Sequence, residues 1–336
     1  MEYKFCEQID RYICFNRDYV SPCTVGNNSK GQAIPIVYPN YKGEPVDWWE
    51  YLLERQRIKE KAKEGILPEI CQGCQFLSEK DWDNINTRWE FQYIQFSHWL
   101  NCNSNCIYCD NHRTVLKKSQ DDTYDSLPIL KDLIARGYVT ENTRFDFAGG
   151  EPTMYYHFED MLKLLNKIEV KHILIHTNAI KYSRAIEEGI KKGKISLCIS
   201  VDAGSKKMHE KIKQVKSFDK VWHNIKKYAK AKKPSTANNI DLKYILVHGL
   251  NDTEQEIELW MKKALPFTNM LILNADNNLF IRPINPEKRT LILHKFYDLS
   301  EFFIRKAKEY HINYRIEYNL QTVYLELNRE LPQNLR

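Results

Sequence analysis

The sequence has no apolar stretch approaching the roughly 18 to 20 residues that a membrane-spanning helix needs. Its first residues, Met1–Val20, carry charges throughout and lack the apolar core of a signal peptide. Glycine and proline, 12 of each, are scattered, without a low-complexity tract or an internal repeat. These absences argue against a membrane protein and a repeat array, and we expect the chain to stay in the cytoplasm.

Charge of one sign is not concentrated either. The 336 residues contain 50 basic and 44 acidic side chains, a formal net charge of +6. Lysine runs such as Lys226–Lys233 are typical of solvated helix faces. Because nucleic-acid-binding domains usually concentrate basic residues on one face, this balance does not favour an RNA or DNA partner. With 43% hydrophobic residues, the chain has enough apolar side chains for a sizeable core.

Cysteine, in contrast, is abundant, with nine residues. An odd number in a chain expected in a reducing compartment makes disulfides a poor explanation and favours metal or cluster ligation. Eight of the nine lie before residue 110, in two groups, and Cys198 stands alone. The first group is Cys6, Cys14, Cys23, Cys71 and Cys74, and the second is Cys102, Cys106 and Cys109.

From about residue 90 onward, short apolar segments alternate with amphipathic ones. Six such pairs predict parallel strands joined by right-handed helical crossovers, in an incomplete barrel or a doubly wound sheet. Ligands of both folds gather at the carboxyl ends of the strands. We predict an α/β fold: a small cysteine-rich module over residues 1–87, a partial (β/α)6 TIM-like barrel over 88–285 and a helical extension over 286–336. Within the first module, a helix is predicted after Asp47, ending near Gly65.

The second cysteine group follows the first predicted strand of the barrel, with the spacing C-x3-C-x2-C. Three thiolates on one short loop would leave one iron of a four-iron, four-sulfur cluster without a protein ligand, open to a small chelating molecule. The alternative is a zinc site of three cysteines completed by His112, which follows in "CDNH".

The stretch "CNSNCIYC", with Tyr108 as its aromatic residue, resembles the signature of the radical S-adenosylmethionine (SAM) superfamily. Further motifs resemble those of the same superfamily, in the right order, at the ends of the next four predicted strands. They are "AGGEPT" (148–153), "HTNAI" (176–180), "SVDAG" (200–204) and "LVHGLND" (246–252). The resemblance covers roughly residues 88 to 285, and four motifs in order disfavour the zinc alternative.

The resemblance implies a cluster on Cys102, Cys106 and Cys109 that binds SAM, with other residues around the cofactor. In "GGEP", Gly149 and Gly150 would allow close backbone approach, Glu151 would face the SAM ammonium group, and Pro152 would stiffen the turn. The alternative is an ordinary strand-to-helix turn in which Thr153 caps the helix.

Ser200 and Asp202, two apart on a predicted strand, would face the same side and bond the ribose hydroxyls. Asn178 would offer a polar group to the cofactor in a similar way. The alternative is an asparagine that only stabilises a turn. The superfamily usually has glycine where this chain has Ala179.

The first cysteine group predicts a second centre. Cys14, Cys23, Cys71 and Cys74 form two separated pairs that can hold zinc or a fully ligated iron–sulfur cluster. The arrangement resembles half of the auxiliary-cluster domain of SPASM and twitch radical SAM enzymes, although there it follows the barrel. Cys6 is the spare thiol. Cys198 and His176 are expected to be buried interior groups rather than ligands or catalysts.

By resemblance, the chain is a radical SAM enzyme of oxidoreductase or lyase type. SAM would be cleaved reductively to a 5′-deoxyadenosyl radical that abstracts a substrate hydrogen atom, with a reductant such as flavodoxin or ferredoxin and help from the auxiliary cluster. The substrate is expected to be a small molecule, such as a sugar or nucleotide derivative, that is oxidised, epimerised or rearranged. A peptide- or protein-modifying maturase is the alternative. A non-catalytic metal-binding module would leave "GGEP" and "SVDAG" unexplained.

Overall fold

The computed structural model describes residues 2–17, 19–23, 46–74, 76–83, 90–109, 124–170 and 172–332. His112 and residues 24–45 lie outside the described residues. Contacts divide the chain into two units. The first unit is Met1–Asn101 with Lys117–Leu174, and the second unit is Cys102–Leu116 with Ile175–Arg336.

The first unit contains a mostly parallel sheet and a separate antiparallel strand pair. Its strands are β1 (Tyr3–Cys6), β2 (Tyr12–Phe15), β3 (Val20–Ser21), β4 (Leu77–Lys80), β5 (Tyr93–Phe96) and β6 (Arg144–Phe147). Strands β6, β5 and β2 are neighbours and run parallel, β3 pairs antiparallel with β2, and β1 pairs antiparallel with β4. The register aligns Phe15, Phe96 and Phe147, whose stacked rings form the centre of this core.

The first unit has four described helices, and two of them begin at a capping aspartate, Asp47 or Asp125. The four are α1 (Glu7–Arg11), α2 (Trp48–Lys63), α3 (Ser126–Ala135) and α4 (Phe158–Lys167). The predicted helix after Asp47 is confirmed: the Asp47 carboxylate accepts a hydrogen bond from the Glu50 backbone nitrogen at 3.0 Å. Gly65 follows its end with φ +79°, the left-handed conformation that glycine adopts most readily.

The second unit is a regular α/β arrangement. Strands β8 (Ile195–Ser200), β9 (Ile240–Leu246), β10 (Met270–Ala275) and β11 (Asn313–Ile316) are parallel neighbours in that order. The strand β7 (His172–Thr177) contains the point at which the two units divide. The helices are α5 (Arg184–Lys191), α6 (Lys206–Lys213), α7 (Phe218–Ala231), α8 (Glu254–Ala264), α9 (Asn278–Ile281), α10 (Pro286–Glu309) and α11 (Tyr318–Glu326).

The predicted α/β class with a mostly parallel sheet is confirmed, as in the partial barrels of the resembling superfamily. Two segments outside the residues predicted to form the barrel nevertheless add strands to the parallel sheet. β2 pairs with β5 in parallel, and β11, from the C-terminal extension, pairs with β10. The predicted boundaries at residues 87 and 285 stay predictions. No helix in the described part of the chain is long and apolar enough to cross a membrane.

Candidate functional site

The loop Cys102–Cys109 presents three thiols at the surface of the second unit. Cys102, Cys106 and Cys109 are half-buried, whereas Cys198 on β8 is only 1% exposed, as expected for an interior thiol. The end of helix α6 holds this loop. The backbone nitrogens of Asn105 and Ile107 donate to the carbonyls of Lys213 and Ile212, each at 3.0 Å. Carbonyls at the end of a helix lack hydrogen-bond donors within the helix. These two bonds therefore provide donors for the carbonyls and at the same time fix the loop.

Asn178, just beyond β7, lies against the cysteine loop. Its amide nitrogen donates to Asn103 Oδ1 at 2.8 Å and is 3.6 Å from Cys102 Sγ. Its own Oδ1 accepts from the Ile180 backbone nitrogen at 2.9 Å, so both ends of the side chain are fixed. The next residue, Ala179, has φ +57°, a left-handed conformation that glycine adopts more readily than alanine. The structure therefore brings Asn178 and Cys102 together.

Tyr108, inside the cysteine loop, is tied to a buried ion pair. Its hydroxyl donates to Asp202 Oδ2 at 2.6 Å, and Lys213 Nζ donates to the Tyr108 oxygen at 3.1 Å. Lys213 and Asp202 form an ion pair whose side chains are 2% and 0% exposed. The amide of Asn278 also donates to the Tyr108 carbonyl at 3.0 Å. Tyr108 is thus positioned through its hydroxyl and its backbone.

The charges of this network set the protonation of its members. Burial raises the pKa of Tyr108 well above its ordinary value, and Asp202 and Cys106 raise it further, so the hydroxyl stays protonated and donates. Burial alone would lower the pKa of Lys213, but the attraction of Asp202 outweighs it and the net shift is upward. Lys213 therefore keeps its positive charge, and the thiols of Cys106 and Cys102 contribute to the same shift.

Asp202 does not lie on the strand that was predicted to carry it. β8 ends at Ser200, and Asp202 follows in the left-handed conformation, with φ +63°. The two-residue alternation of a strand therefore does not place Ser200 and Asp202 on one side. The carboxylate of Asp202 already accepts from Tyr108, Lys213 and, at 3.0 Å, the Ile245 backbone nitrogen. Ser200 is half-exposed at the strand end. Ribose contacts of both residues stay predictions.

Sequence reasoning missed the residues that support this network. Lys213 belongs to none of the motifs described above. Asn251, from the "LVHGLND" motif, is fully buried and donates to the carbonyls of Asp202 and Ile245, each at 2.7 Å. The four-residue spacing of His209 and Lys213, both buried on α6, was the available signal, because the two share one helix face.

In the first unit, the turn after β6 packs on the backbone that leads into the cysteine loop. A Cβ atom on Gly150 would lie 2.5 Å from the Asn101 carbonyl oxygen, and one on Gly149 would lie 2.8 Å from that of Trp99. Both glycines thus permit close approach to protein backbone. Glu151 is 1% exposed, and its carboxylate accepts from the Thr153 hydroxyl at 2.7 Å and the Thr153 nitrogen at 3.3 Å. Pro152 opens a short 3-10 turn. Contacts of these residues with SAM stay predictions.

The cysteines of the first unit occupy different surroundings. Cys71 and Cys74 form a tight turn in which the Cys74 nitrogen donates to the Cys71 carbonyl at 3.1 Å. Cys23 is half-buried after β3, and Cys6 ends β1. Cys14 is fully buried within β2. Among the described residues, no three His, Cys, Asp or Glu side chains are arranged to hold a single metal ion. This holds for the first cysteine group and for the second.

A cavity of about 670 Å³ lies in the first unit, at the starts of its strands. Tyr12, Tyr93 and Arg144, the first residues of β2, β5 and β6, line it together with Asp146. The predicted motifs follow the other ends of the strands, where ligands of parallel α/β folds bind. The cavity is therefore not the predicted cofactor site.

A model of the radical SAM superfamily matches residues 96–264, half of the chain. The chain belongs to the radical SAM superfamily. The match begins at the end of β5 and ends at the end of α8, so it contains the cysteine loop, Asn178 and the Tyr108–Asp202–Lys213 network.

Two curated radical SAM relatives have different chemistries. A GTP 3′,8-cyclase of Haemophilus influenzae (strain PittEE) is 27% identical over 177 residues, 52% of this chain and 50% of that protein. A Chlorobium phaeobacteroides protein named "Probable dual-specificity RNA methyltransferase RlmN" is 24% identical over 231 residues, 65% of this chain and 63% of that protein. The chain spans about half the length of the GTP 3′,8-cyclases that it matches.

Solved radical SAM structures share the fold. SuiB of Streptococcus suis, bound to its precursor peptide SuiA, superposes with a TM-score of 0.55 and 15% identity, over 84% of this chain and 58% of SuiB. SuiB bound to S-adenosylmethionine superposes with a TM-score of 0.54, also at 15% identity, over 83% of this chain and 58% of SuiB. At this identity the likeness concerns the fold alone.

Membership of the radical SAM superfamily implies a four-iron, four-sulfur cluster and SAM. The chain's own residues fit this group. Three half-buried thiols on one fixed loop are a suitable donor set for iron, and the Asn178 amide lies beside one of them. A buried lysine nearby supplies a positive charge, which suits a cluster that carries negative charge through its thiolates.

Proposed function

We propose that this chain is an enzyme in which Cys102, Cys106 and Cys109 hold the cluster that binds SAM. The observation that carries the proposal is the presentation of these three half-buried thiols on a loop fixed by helix α6 and Asn178. When bound, the cluster and SAM supply the 5′-deoxyadenosyl radical that abstracts a hydrogen atom from the substrate.

The protein residues orient this chemistry. Helix α6 fixes the loop backbone, and the Lys213–Asp202 pair fixes Tyr108, so the thiols have little freedom to move apart. Asn178 offers an amide donor beside Cys102. Ser200 offers a hydroxyl at the end of β8 for a sugar, and Glu151 offers a buried carboxylate for an ammonium group. These last two roles rest on residue chemistry and on the motifs.

We propose a polar small molecule as the substrate. Beyond Ser200, the neighbouring strands of the second unit carry charged side chains. Lys243 is paired in register with Ser200 and forms an ion pair with Glu317, and the Asn274 amide donates to Glu317 at 3.0 Å. These charged and amide groups can hydrogen-bond the polar atoms of a sugar or nucleotide derivative. The relation to GTP 3′,8-cyclases, whose name specifies a nucleotide substrate, supports the same choice.

A peptide substrate is the second candidate. It is favoured by the fold likeness to SuiB, which was solved with a bound precursor peptide. Oxidoreductase or lyase chemistry, an electron donor such as flavodoxin or ferredoxin and a cytoplasmic location are part of the same proposal.

The cluster assignment is tested by anaerobic reconstitution followed by SAM and dithionite. Cys102→Ala should abolish formation of 5′-deoxyadenosine, because two thiolates cannot hold the cluster in its reactive form. Cys198→Ala, which changes a buried thiol outside the loop, should retain it. Formation of 5′-deoxyadenosine at the unmutated rate by Cys102→Ala would refute the assignment.

The substrate class is tested with the same assay. GTP, other nucleotides, sugar nucleotides and short peptides are each added, and 5′-deoxyadenosine is measured against the substrate-free rate. We expect a nucleotide or sugar nucleotide to raise the rate and, when deuterated, to pass deuterium into 5′-deoxyadenosine. Stimulation and deuterium transfer by peptides alone would contradict the small-molecule proposal and support the peptide candidate.

A further inference from the structure

We infer that Cys6, Cys23, Cys71 and Cys74 form a tetrathiolate metal centre in the first unit, with Cys14 outside its ligand set. This centre would take Zn²⁺ or a fully ligated iron–sulfur cluster, since four thiolates suit both. The inference does not depend on the SAM site. The ligand set predicted from the sequence contained Cys14 and left Cys6 as a spare thiol. Here Cys6 takes the place of the buried Cys14.

Strand pairing brings Cys6 to the C-x2-C turn. β1 and β4 are antiparallel, with Cys6 directly opposite Leu77. The Leu77 nitrogen donates to the Cys74 carbonyl at 3.2 Å, so the turn 71–74 sits at the end of the ladder where Cys6 lies. Gly73 inside the turn has φ +76°, which allows the chain to reverse sharply between the two cysteines. Such turns present two thiols to one metal.

The fourth thiol reaches the same place from β3. Cys23 Sγ lies 3.3 Å from Gln8 Oε1. Gln8 stands two residues after Cys6, in the first turn of α1, so this contact brings Cys23 to the junction of β1 and α1. Cys6 and Cys71 are buried and Cys23 and Cys74 half-buried, a gradient expected for a centre at the rim of a small core.

The electrostatics of the four thiols agree with this geometry. The pKa of Cys71 is raised to about 12 by burial and, to a smaller extent, by Cys23, Cys6 and Cys74, which therefore lie near it. Burial raises the pKa of Cys6 too, with Cys23 and Cys74 contributing. These mutual contributions agree with four thiols that lie close to one another.

Cys14 has a different environment. It is fully buried in β2, flanked by Gln95 on β5 and Ser21 on β3. Burial raises its pKa well above the ordinary value, and the one described cysteine that adds to this shift is Cys23. Among the described residues, no three of the thiols of Cys6, Cys23, Cys71 and Cys74 are placed to hold one metal ion, so a zinc centre would require them to draw closer together.

The test uses the full chain with Cys102, Cys106 and Cys109 replaced by alanine, so that bound metal belongs to the first unit. After anaerobic reconstitution, zinc, iron and sulfide are counted. We expect about one zinc without sulfide, or about four irons with sulfide, which tells the two metals apart. Adding Cys6→Ala should remove most of the metal, and adding the matched Cys14→Ala should leave it. No metal before either addition, or loss with Cys14→Ala, would overturn the inference.

A second measurement needs no substitution. The unmutated chain is alkylated with iodoacetamide before and after its metal is stripped with ferricyanide and EDTA and its thiols are reduced again with dithiothreitol. Labelled peptides are mapped by mass spectrometry. Cys6, Cys23, Cys71 and Cys74 should become labelled only after stripping, while Cys14 stays unlabelled in both states. Labelling of Cys14 but not of Cys6 after stripping would overturn the inference. Failure of the SAM site would instead appear as absent 5′-deoxyadenosine.

Discussion

Lys213 brings a positive charge into the interior of the second unit. Its side chain is 2% exposed and is paired with Asp202, which has no exposed surface. Such a pair contributes little net stability relative to an apolar pair, but removing one partner leaves the other charge buried alone. Here the pair also fixes Tyr108, because both charged groups bond its hydroxyl.

Lys213→Met should therefore lower the free energy of unfolding by about 3–5 kcal/mol, because it leaves the buried Asp202 carboxylate without a charged partner. Guanidinium denaturation measures this loss. Lys211→Met, on the exposed side of the same helix, should change stability by less than about 0.5 kcal/mol. The double change Lys213→Met with Asp202→Asn should cost less than Lys213→Met alone. A cost below about 1 kcal/mol for the single change would contradict a functional ion pair in the fold.

The sequence indicates Tyr108 and Asn178 through their motifs, but not Lys213. Lysines on a helix normally face solvent, and the four-residue spacing from His209 does not by itself show that Lys213 is buried while Lys211 is exposed. The alternation argument for Asp202 is wrong for a physical reason: β8 ends two residues earlier, and a left-handed residue breaks the period of two. Residue roles that depend on partners distant in sequence need the structure.

At the scale of elements, the turn after β6 determines how closely two loops approach. Gly150 leaves room for the backbone of Leu100 and Asn101, whose carbonyl oxygens would lie 2.6 and 2.5 Å from an added Cβ atom. Neither carbonyl can rotate away as a flexible side chain could. The Glu151 nitrogen also donates to the Asn101 carbonyl at 2.8 Å, so a shift here breaks a hydrogen bond.

Gly150→Ala should destabilise the chain by about 2–3 kcal/mol, the range expected for forced overpacking. The melting temperature should fall, and less iron should be retained by the cysteine loop that begins one residue after Asn101. Gly137→Ala is the control, because Gly137 has φ +74° but nothing within 4 Å of an added Cβ atom. It should cost about 1 kcal/mol for backbone strain alone. Equal costs for the two changes would contradict the close approach.

Helices and their caps are predictable because their signals are local. Asp47, Ser183, Ser205 and Thr253 each cap the helix that follows. The pairing of β2 with β5 and of β11 with β10 could not be predicted in this way. These partners are far apart in sequence, and short strands do not specify their neighbours. The same limit hid the approach of Cys6 to the C-x2-C turn.

At the scale of the whole molecule, stability should depend on pH through a buried histidine. His98 has no exposed surface, and its ring stacks on Tyr124 with 4.4 Å between centroids. Burial lowers its pKa from 6.5 to about 3, and the nearby Tyr124 backbone opposes part of the shift. Between these values the unfolded chain binds one more proton than the folded chain, so stability falls as pH falls from 6.5 towards 3.

The expected slope from His98 is about 1.4 kcal/mol per pH unit over this range. His98→Phe, which cannot bind a proton and keeps an aromatic ring in the stack, should remove that part of the pH dependence. His294→Phe, at an exposed position of α10, should not. Urea denaturation of the three proteins at pH 6.5, 5.5 and 4.5 measures the slopes. A slope for His98→Phe equal to that of the unmutated chain would mean that His98 is protonated when folded.

The class of the whole molecule was predictable, because the superfamily's motifs concern a cofactor that all members share. The substrate was not predictable, because the side chains that we propose to face it, such as Lys243 and Glu317, belong to no motif. They meet only when β9 and β11 join the sheet.

The central claim is that Cys102, Cys106 and Cys109 hold an iron–sulfur cluster with one iron open to SAM. The most direct test is electron paramagnetic resonance of the reconstituted, dithionite-reduced chain before and after SAM is added. We expect a four-iron, four-sulfur signal with a component whose g values shift on SAM addition and which is absent from Cys102→Ala. A chain without an iron–sulfur signal, or with g values that SAM leaves unchanged, would contradict the claim.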